Sequence, residues 1–162
     1  MQKVKSFTVD HRMLEPGIYA SQVNGAITYD IRMIAPKHSC KVPSGRTIHT
    51  LEHFFADYFR NKVPSHFPDS FSSTVLYIGP MGCKTGFYLL TSVKWPEELI
   101  RDILLECCND ILCASKIPGG TEIECGNHRY FNLDSAKDFV VDVIIPEFRD
   151  EELRKTYPLI HG

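Results

Sequence analysis

The chain has 162 residues, 43% hydrophobic and 23% charged, which suits one globular domain whose core needs no disulfide or metal staple. A formal charge of -2 with no run of Lys or Arg offers no electrostatic footprint for nucleic acid or an anionic membrane. No apolar stretch nears the roughly 20 residues of a bilayer span. The opening "MQKVKSFTVDHRM" lacks the apolar run of a secretory leader, so a single cytoplasmic domain over residues 1–162 is expected.

In chain order, "VKSFTVD" is a weak strand candidate, and "AITYDIRM" is a stronger one because Ile27, Tyr29, Ile31 and Met33 alternate with polar residues. A helix is expected over residues 48–60. "STVLYIG" and "GFYLLTSV" follow as two strands, joined by a short "PMGCKT" loop that suits a hairpin better than a parallel crossover. Pro96 marks the entry to a helix over 97–114, and "IPGG" closes that region. A third helix is expected over 135–144, broken or kinked at Pro146, with "EELRKTY" as a short terminal helix. This order predicts an α+β fold in which helices cover an antiparallel sheet.

The six cysteines form no CxxC pair and no disulfide-like ladder. Cys107, Cys108 and Cys113 fall in a helical pattern and read as small buried thiols. Cys83 and Cys125 sit among glycines, in "PMGCKTG" and "ECGNH", where backbone freedom lets a side chain be aimed.

The segment "TIHTLEHFFADYFRN" carries His49, Glu52 and His53. At about 100° per residue the two imidazoles project only about 40° apart, and Ile48, Leu51, Phe55, Tyr58 and Phe59 fall largely on the opposite face. Two histidines at i and i+4 can grip one cation, and the order H-x-x-E-H is that of the inverzincin motif, whose Glu acts as base. The plainer reading is a pair of surface histidines beside an exposed Glu. Cys125 is the better third ligand, because one thiolate and two imidazoles leave a fourth position open, and such a set accepts Zn²⁺ or Fe²⁺. Lys84 beside Cys83 could lower its pKa, as could a nearby metal. Each of these residues also has a structural reading: Cys125 and Cys83 as small turn residues, Arg32 as an exposed edge residue, Ser6 and His11 as polar groups near a strand end.

Taken together, "SFTVDH", "YDIR", "IHTLEHFFADYFRN", "GPMGCKTGFYLL" and "ECGNHRYFNLDSAK" resemble the S-ribosylhomocysteine lyase (LuxS) family over nearly the whole chain. The resemblance implies a metal held by His49, His53 and Cys125, with Cys83 and Glu52 as the acid/base pair. It implies that Ser6 and His11 reach the active site of the other subunit of a homodimer, and that Arg32 faces the substrate. The implied reaction cleaves S-ribosylhomocysteine to homocysteine and 4,5-dihydroxy-2,3-pentanedione, the autoinducer-2 precursor, with Fe²⁺ natively, often Zn²⁺ as isolated, and no organic cofactor. Three departures stand out: Tyr77 where many members have Asp, Phe131 where many have His (with His128 three residues earlier), and a slightly longer "PKHSCKVPSGR" loop. The alternatives are a small H-x-x-E-H zinc hydrolase acting on a peptide or amide bond, and a non-catalytic metal-binding protein.

Overall fold

A computed structural model describes residues 5–62, 74–149 and 152–160 of the chain. Strands β1 (Gly17–Val23), β2 (Ala26–Arg32), β3 (Val75–Pro80) and β4 (Gly86–Thr91) form one antiparallel sheet in the order β1-β2-β4-β3. Helices α1 (Gly45–Asp57), α2 (Glu97–Cys113), α3 (Leu133–Phe139) and α4 (Ile145–Phe148) complete an α+β fold.

The first hairpin turns at Asn24 and Gly25, both at positive φ, the backbone state a two-residue hairpin loop requires and Asn-Gly tolerates. Strand β1 was not anticipated, although "NG" between two semi-apolar runs was its signal. The strand expected at "VKSFTVD" is instead a 3-10 turn over Lys5–Thr8, and only Val9 pairs, in a lone bridge to Leu159. Its alternation is too short to complete a ladder before Asp10 turns the chain.

Helix α1 begins three residues earlier than its apolar pattern because the Ser44 hydroxyl accepts from the Thr47 N–H, an N-cap. Its apolar face, with Leu51 and Phe55, packs on the sheet, and Phe55 meets Phe87 edge to face at 4.9 Å between centroids. Pro146 does not break the last helix. A π-turn over Val140–Ile144 absorbs it, and α4 restarts with the proline at a first-turn position, where its missing N–H costs nothing. Residues 152–156 are not helical, so the expected terminal helix is absent among the described residues. Cys107 and Cys108 are buried as expected, but Cys113, at the end of α2, is exposed. No described helix is long and apolar enough to cross a membrane.

Side chains alternate along the strands, so the sheet has two different faces. Ile18, Tyr29, Ile31, Phe87 and Leu89 join the main core under the helices. Tyr19, Asp30 and Tyr88 form a cross-strand row on the other face, which Arg32 shares. Within the core, the buried Tyr29 hydroxyl accepts from the Trp95 N–H at 2.6 Å and donates to the Trp95 carbonyl at 2.9 Å, which locks the entry to α2 onto β2. Tyr29→Phe removes both of these bonds to Trp95, so urea unfolding should show a loss of about 1–3 kcal/mol with the unfolding slope unchanged.

Candidate active site

His49 and His53, one turn apart on α1, and Cys125 place three ligand atoms within 4.8 Å of one another. The His49 Nε2 and Cys125 Sγ are 3.5 Å apart. Ordinary Zn–N and Zn–S lengths at a tetrahedral angle give a separation of about 3.5 Å, so this edge already has the size of a metal site. Both imidazoles are held through their other nitrogen. The His49 Nδ1–H donates to the Tyr130 carbonyl at 2.9 Å and the His53 Nδ1–H to the Pro118 carbonyl at 2.8 Å. Those bonds set the tautomer that leaves each Nε2 lone pair free for a cation. The donor set therefore fits a divalent metal.

The carbonyls come from loops that looked like punctuation in the sequence. The "IPGG" turn delivers the Pro118 oxygen because Gly119 adopts φ +59 against the His53 ring, a backbone state a side chain would strain. The loop after Cys125 then runs back along α1. Tyr130 packs on Gly45 and Arg46, the Asn132 N–H donates to the Thr50 hydroxyl at 2.9 Å, and the Asn132 side chain caps α3. The Asn127 N–H donates to the Cys125 sulfur at 3.4 Å.

Phe131 fills the corner between the imidazoles. It stacks on His49 at 4.2 Å and 17° and meets His53 edge-on at 4.8 Å and 83°. The two histidine rings lie at 81° to each other, so the phenyl ring braces both. Composition and spacing alone hold no signal for this role. Glu52 is half-buried beside them, makes no hydrogen bond or ion pair among the described residues, and lines a cleft of about 440 Å³ with His53, Arg60 and Glu124.

Cys83 lies elsewhere, on the β3–β4 hairpin, where Lys84 takes φ +59 to close the turn. Its thiol is 3.0 Å from the Thr85 hydroxyl and 3.7 Å from the Arg32 guanidinium. Burial, the largest influence, pushes the thiol up, but hydrogen bonds from Thr85 and the charge and hydrogen bond of Arg32 outweigh it, so the thiol sits below its ordinary value of 9.0. The cation responsible is Arg32, not the Lys84 expected from sequence. Nor is Arg32 an edge residue: it is 3% exposed on a central strand, bound twice to Asp30, at 3.1 Å through Nε and 2.6 Å through Nη2.

Cys83, Arg32, His11, Phe7 and Tyr88 line a cavity of about 420 Å³, to which Pro36 and Val42 contribute from the segment between β2 and α1. The His11 Nδ1–H donates to the Val9 carbonyl at 3.0 Å, which leaves its Nε2 for other partners. The side chain of Ser6 lies outside the described residues. Tyr77 is 49% exposed and rests its phenol over Gly79, where any Cβ would collide with it. The structure thus gathers the predicted residues into two groups, with no lining residue shared between the cleft at Glu52 and the cavity at Cys83.

A family model described as S-ribosylhomocysteinase (LuxS) matches residues 4–152. The chain belongs to this family. A Borreliella burgdorferi (strain ZS7) protein named S-ribosylhomocysteine lyase is 37% identical over 143 residues, which span 85% of this chain and 87% of the relative. A protein of the same name from Desulfotalea psychrophila is 34% identical, covering 85% and 86% of the two chains. One from Clostridium beijerinckii is 32% identical over 155 residues, covering 90% and 93%. The family's extent matches the structure: its residues 4–152 include both histidines, Cys125 and the Cys83 hairpin.

Two measurements check this geometry. Phe131→Leu removes the flat brace but keeps an apolar side chain, and Co²⁺ affinity in chelator competition should weaken on the order of tenfold. Arg32→Gln removes the charge beside Cys83, so the pH at which iodoacetamide half-saturates that thiol should rise toward the ordinary cysteine range.

Proposed function

We propose that this chain is an S-ribosylhomocysteine lyase that releases homocysteine and 4,5-dihydroxy-2,3-pentanedione, the precursor of autoinducer-2. The observation that carries the reading is the convergence of His49, His53 and Cys125, each imidazole already turned by a backbone carbonyl toward a common point. A divalent cation bound there supplies Lewis acidity to a sugar carbonyl; Fe²⁺ is our assignment for the cell, with Zn²⁺ able to take the same ligands.

The thioether of the substrate sits where ribose offers no acidic proton beside the carbon to be cleaved. Moving the carbonyl from C1 to C2 and then to C3 makes the C4 proton acidic, and β-elimination then expels the homocysteine thiolate from C5. The process is a set of proton transfers with no net redox change, so it requires residues that accept and return protons. The Cys83 thiol, held low by Thr85 and Arg32, takes and returns the protons of the early shifts. Glu52, unengaged beside His53, handles the later transfers and protonates the leaving sulfur. Arg32 offers its remaining N–H capacity to a substrate oxygen, and His11 and Ser6 complete the sugar contacts.

The active unit is a homodimer, acting in the cytoplasm on this small-molecule substrate. Two facts support the dimer: the Cys83 cavity opens on the sheet face that the helices leave uncovered, and the metal ligands belong to the helical layer. A second copy facing that sheet brings one subunit's Cys83, Arg32, His11 and Ser6 to the other's His49, Glu52, His53 and Cys125. A peptide hydrolase built on H-x-x-E-H would use none of the residues around Cys83, and the family membership does not favour it.

Thiol release from S-ribosylhomocysteine by the anaerobically prepared, metal-replete enzyme tests this reading. Cys83→Ala and Glu52→Gln should each lower kcat by about 10²–10⁴-fold while Co²⁺ binding persists. Turnover near the parental rate in either variant would remove that residue from the mechanism.

A further inference from the structure

The family match ends at residue 152, yet the chain that follows is packed against the Cys83 side of the molecule. We propose that residues 154–160 form a strap that holds the Cys83 cavity in its working shape, with Tyr157 as a positioning residue for the Asp30–Arg32 pair. This deepens the lyase reading above and rests on it for the reaction affected.

The strap is stitched to the segment that carries Phe7 and His11. The Asp10 N–H donates to the Pro158 carbonyl at 2.7 Å, the Ile160 N–H to the Thr8 carbonyl at 3.0 Å, and the Ile18 N–H to the Arg154 carbonyl at 2.9 Å. Val9 and Leu159 form a bridge across the same seam. Phe7 and His11 therefore line the cavity on a short segment with no ladder of its own, held from behind by the last described residues.

Tyr157 makes the second connection. Its ring stacks on Tyr19 at 4.7 Å and 15°, and its hydroxyl donates to the Asp30 Oδ2 at 3.1 Å. Asp30, 2% exposed, holds one edge of the Arg32 guanidinium with both oxygens, and Arg32 in turn donates to the Thr85 hydroxyl at 2.5 Å and contacts the Cys83 sulfur. A chain of contacts thus runs Tyr157–Asp30–Arg32–Cys83. The charged and titratable groups around this chain of contacts are Arg32, Asp30, Tyr19 and Tyr88 from the sheet, His11 and Glu15 from the N-terminal segment, and Arg154 and Tyr157 from the strap. Without its cover, water reaches the Asp30–Arg32 pair, screens it and loosens the guanidinium that faces Cys83. None of the strap's described hydrogen bonds or ring contacts involves α1 or the 118–132 loop, so the candidate metal ligands report independently on folding.

The test compares the full chain with a variant ending after Arg154 and with Tyr157→Ala, each as the metal-replete protein. Iodoacetamide labelling at Cys83 is followed against pH by peptide mass spectrometry, which separates it from the exposed Cys40 and Cys113. Co²⁺ affinity and thiol release are measured alongside. The strap predicts a labelling midpoint raised by about half to one pH unit, thiol release lowered on the order of tenfold, and Co²⁺ affinity within about twofold of the parent. If the truncated chain fails to fold, Tyr157→Ala decides. A midpoint unchanged in that variant, or shifted only together with lost Co²⁺ binding, overturns the proposal. If the full chain itself does not turn over S-ribosylhomocysteine, the lyase reading fails, and the labelling and Co²⁺ data still judge the strap.

Discussion

Two backbone carbonyls, those of Pro118 and Tyr130, decide what His49 and His53 can do. A histidine pair on a helix is common and by itself swings through several rotamers and two tautomers. Once each Nδ1–H is committed to a fixed carbonyl, both Nε2 lone pairs are left for a cation and only a third donor is missing. Cys125 supplies it from the loop whose continuation carries the Tyr130 carbonyl and the Phe131 brace. One stretch of about eight residues therefore contributes a ligand, an orienting acceptor and a packing partner, and it caps α3 as it leaves. The site depends on that loop being laid along α1, which is why Gly45 is needed where Tyr130 crosses.

The second centre is built by opposite means. Around Cys83 a buried ion pair does the organising, with Asp30 holding Arg32 so that one edge of the guanidinium remains for Thr85 and the thiol. Burial alone would keep such a thiol protonated; the nearby cation and the Thr85 donors reverse that balance. Burial likewise pushes the Asp30 carboxyl up, while Arg32 and Tyr157 pull against it. Both carboxylate oxygens and all three guanidinium nitrogens have partners, the condition under which buried charge is tolerated. The residues that give the thiol its character thus lie on the sheet face away from the helices, which explains why one polypeptide can hold a metal-type centre and an acid/base centre that share no cavity.

Several features were readable in the sequence, and each was readable because it is local. The i, i+4 histidines, the strands β2 and β4, the hairpin at "PMGCKT" and the helix after Pro96 depend on local pattern and spacing, and the structure keeps all four. Expectations failed where a neighbour distant in sequence decided the outcome. "VKSFTVD" became a turn pinned by the C-terminal segment. Lys84, adjacent to Cys83 in the chain, yielded to Arg32, which lies 51 positions away.

By itself, then, the sequence determined which chemical groups are present and the family to which their order belongs, since short motifs and their spacing survive as text. Only the tertiary structure decided which lone pairs converge, which cation faces the thiol, and which segments brace each centre. Those outcomes rest on hydrogen bonds and ring contacts between residues 51 to 127 positions apart, such as Arg32 with Cys83, His53 with Pro118, His49 with Tyr130 and Tyr157 with Asp30. A contact of that span exists only after the sheet and helices have brought the two partners together, and no local pattern of residues encodes it.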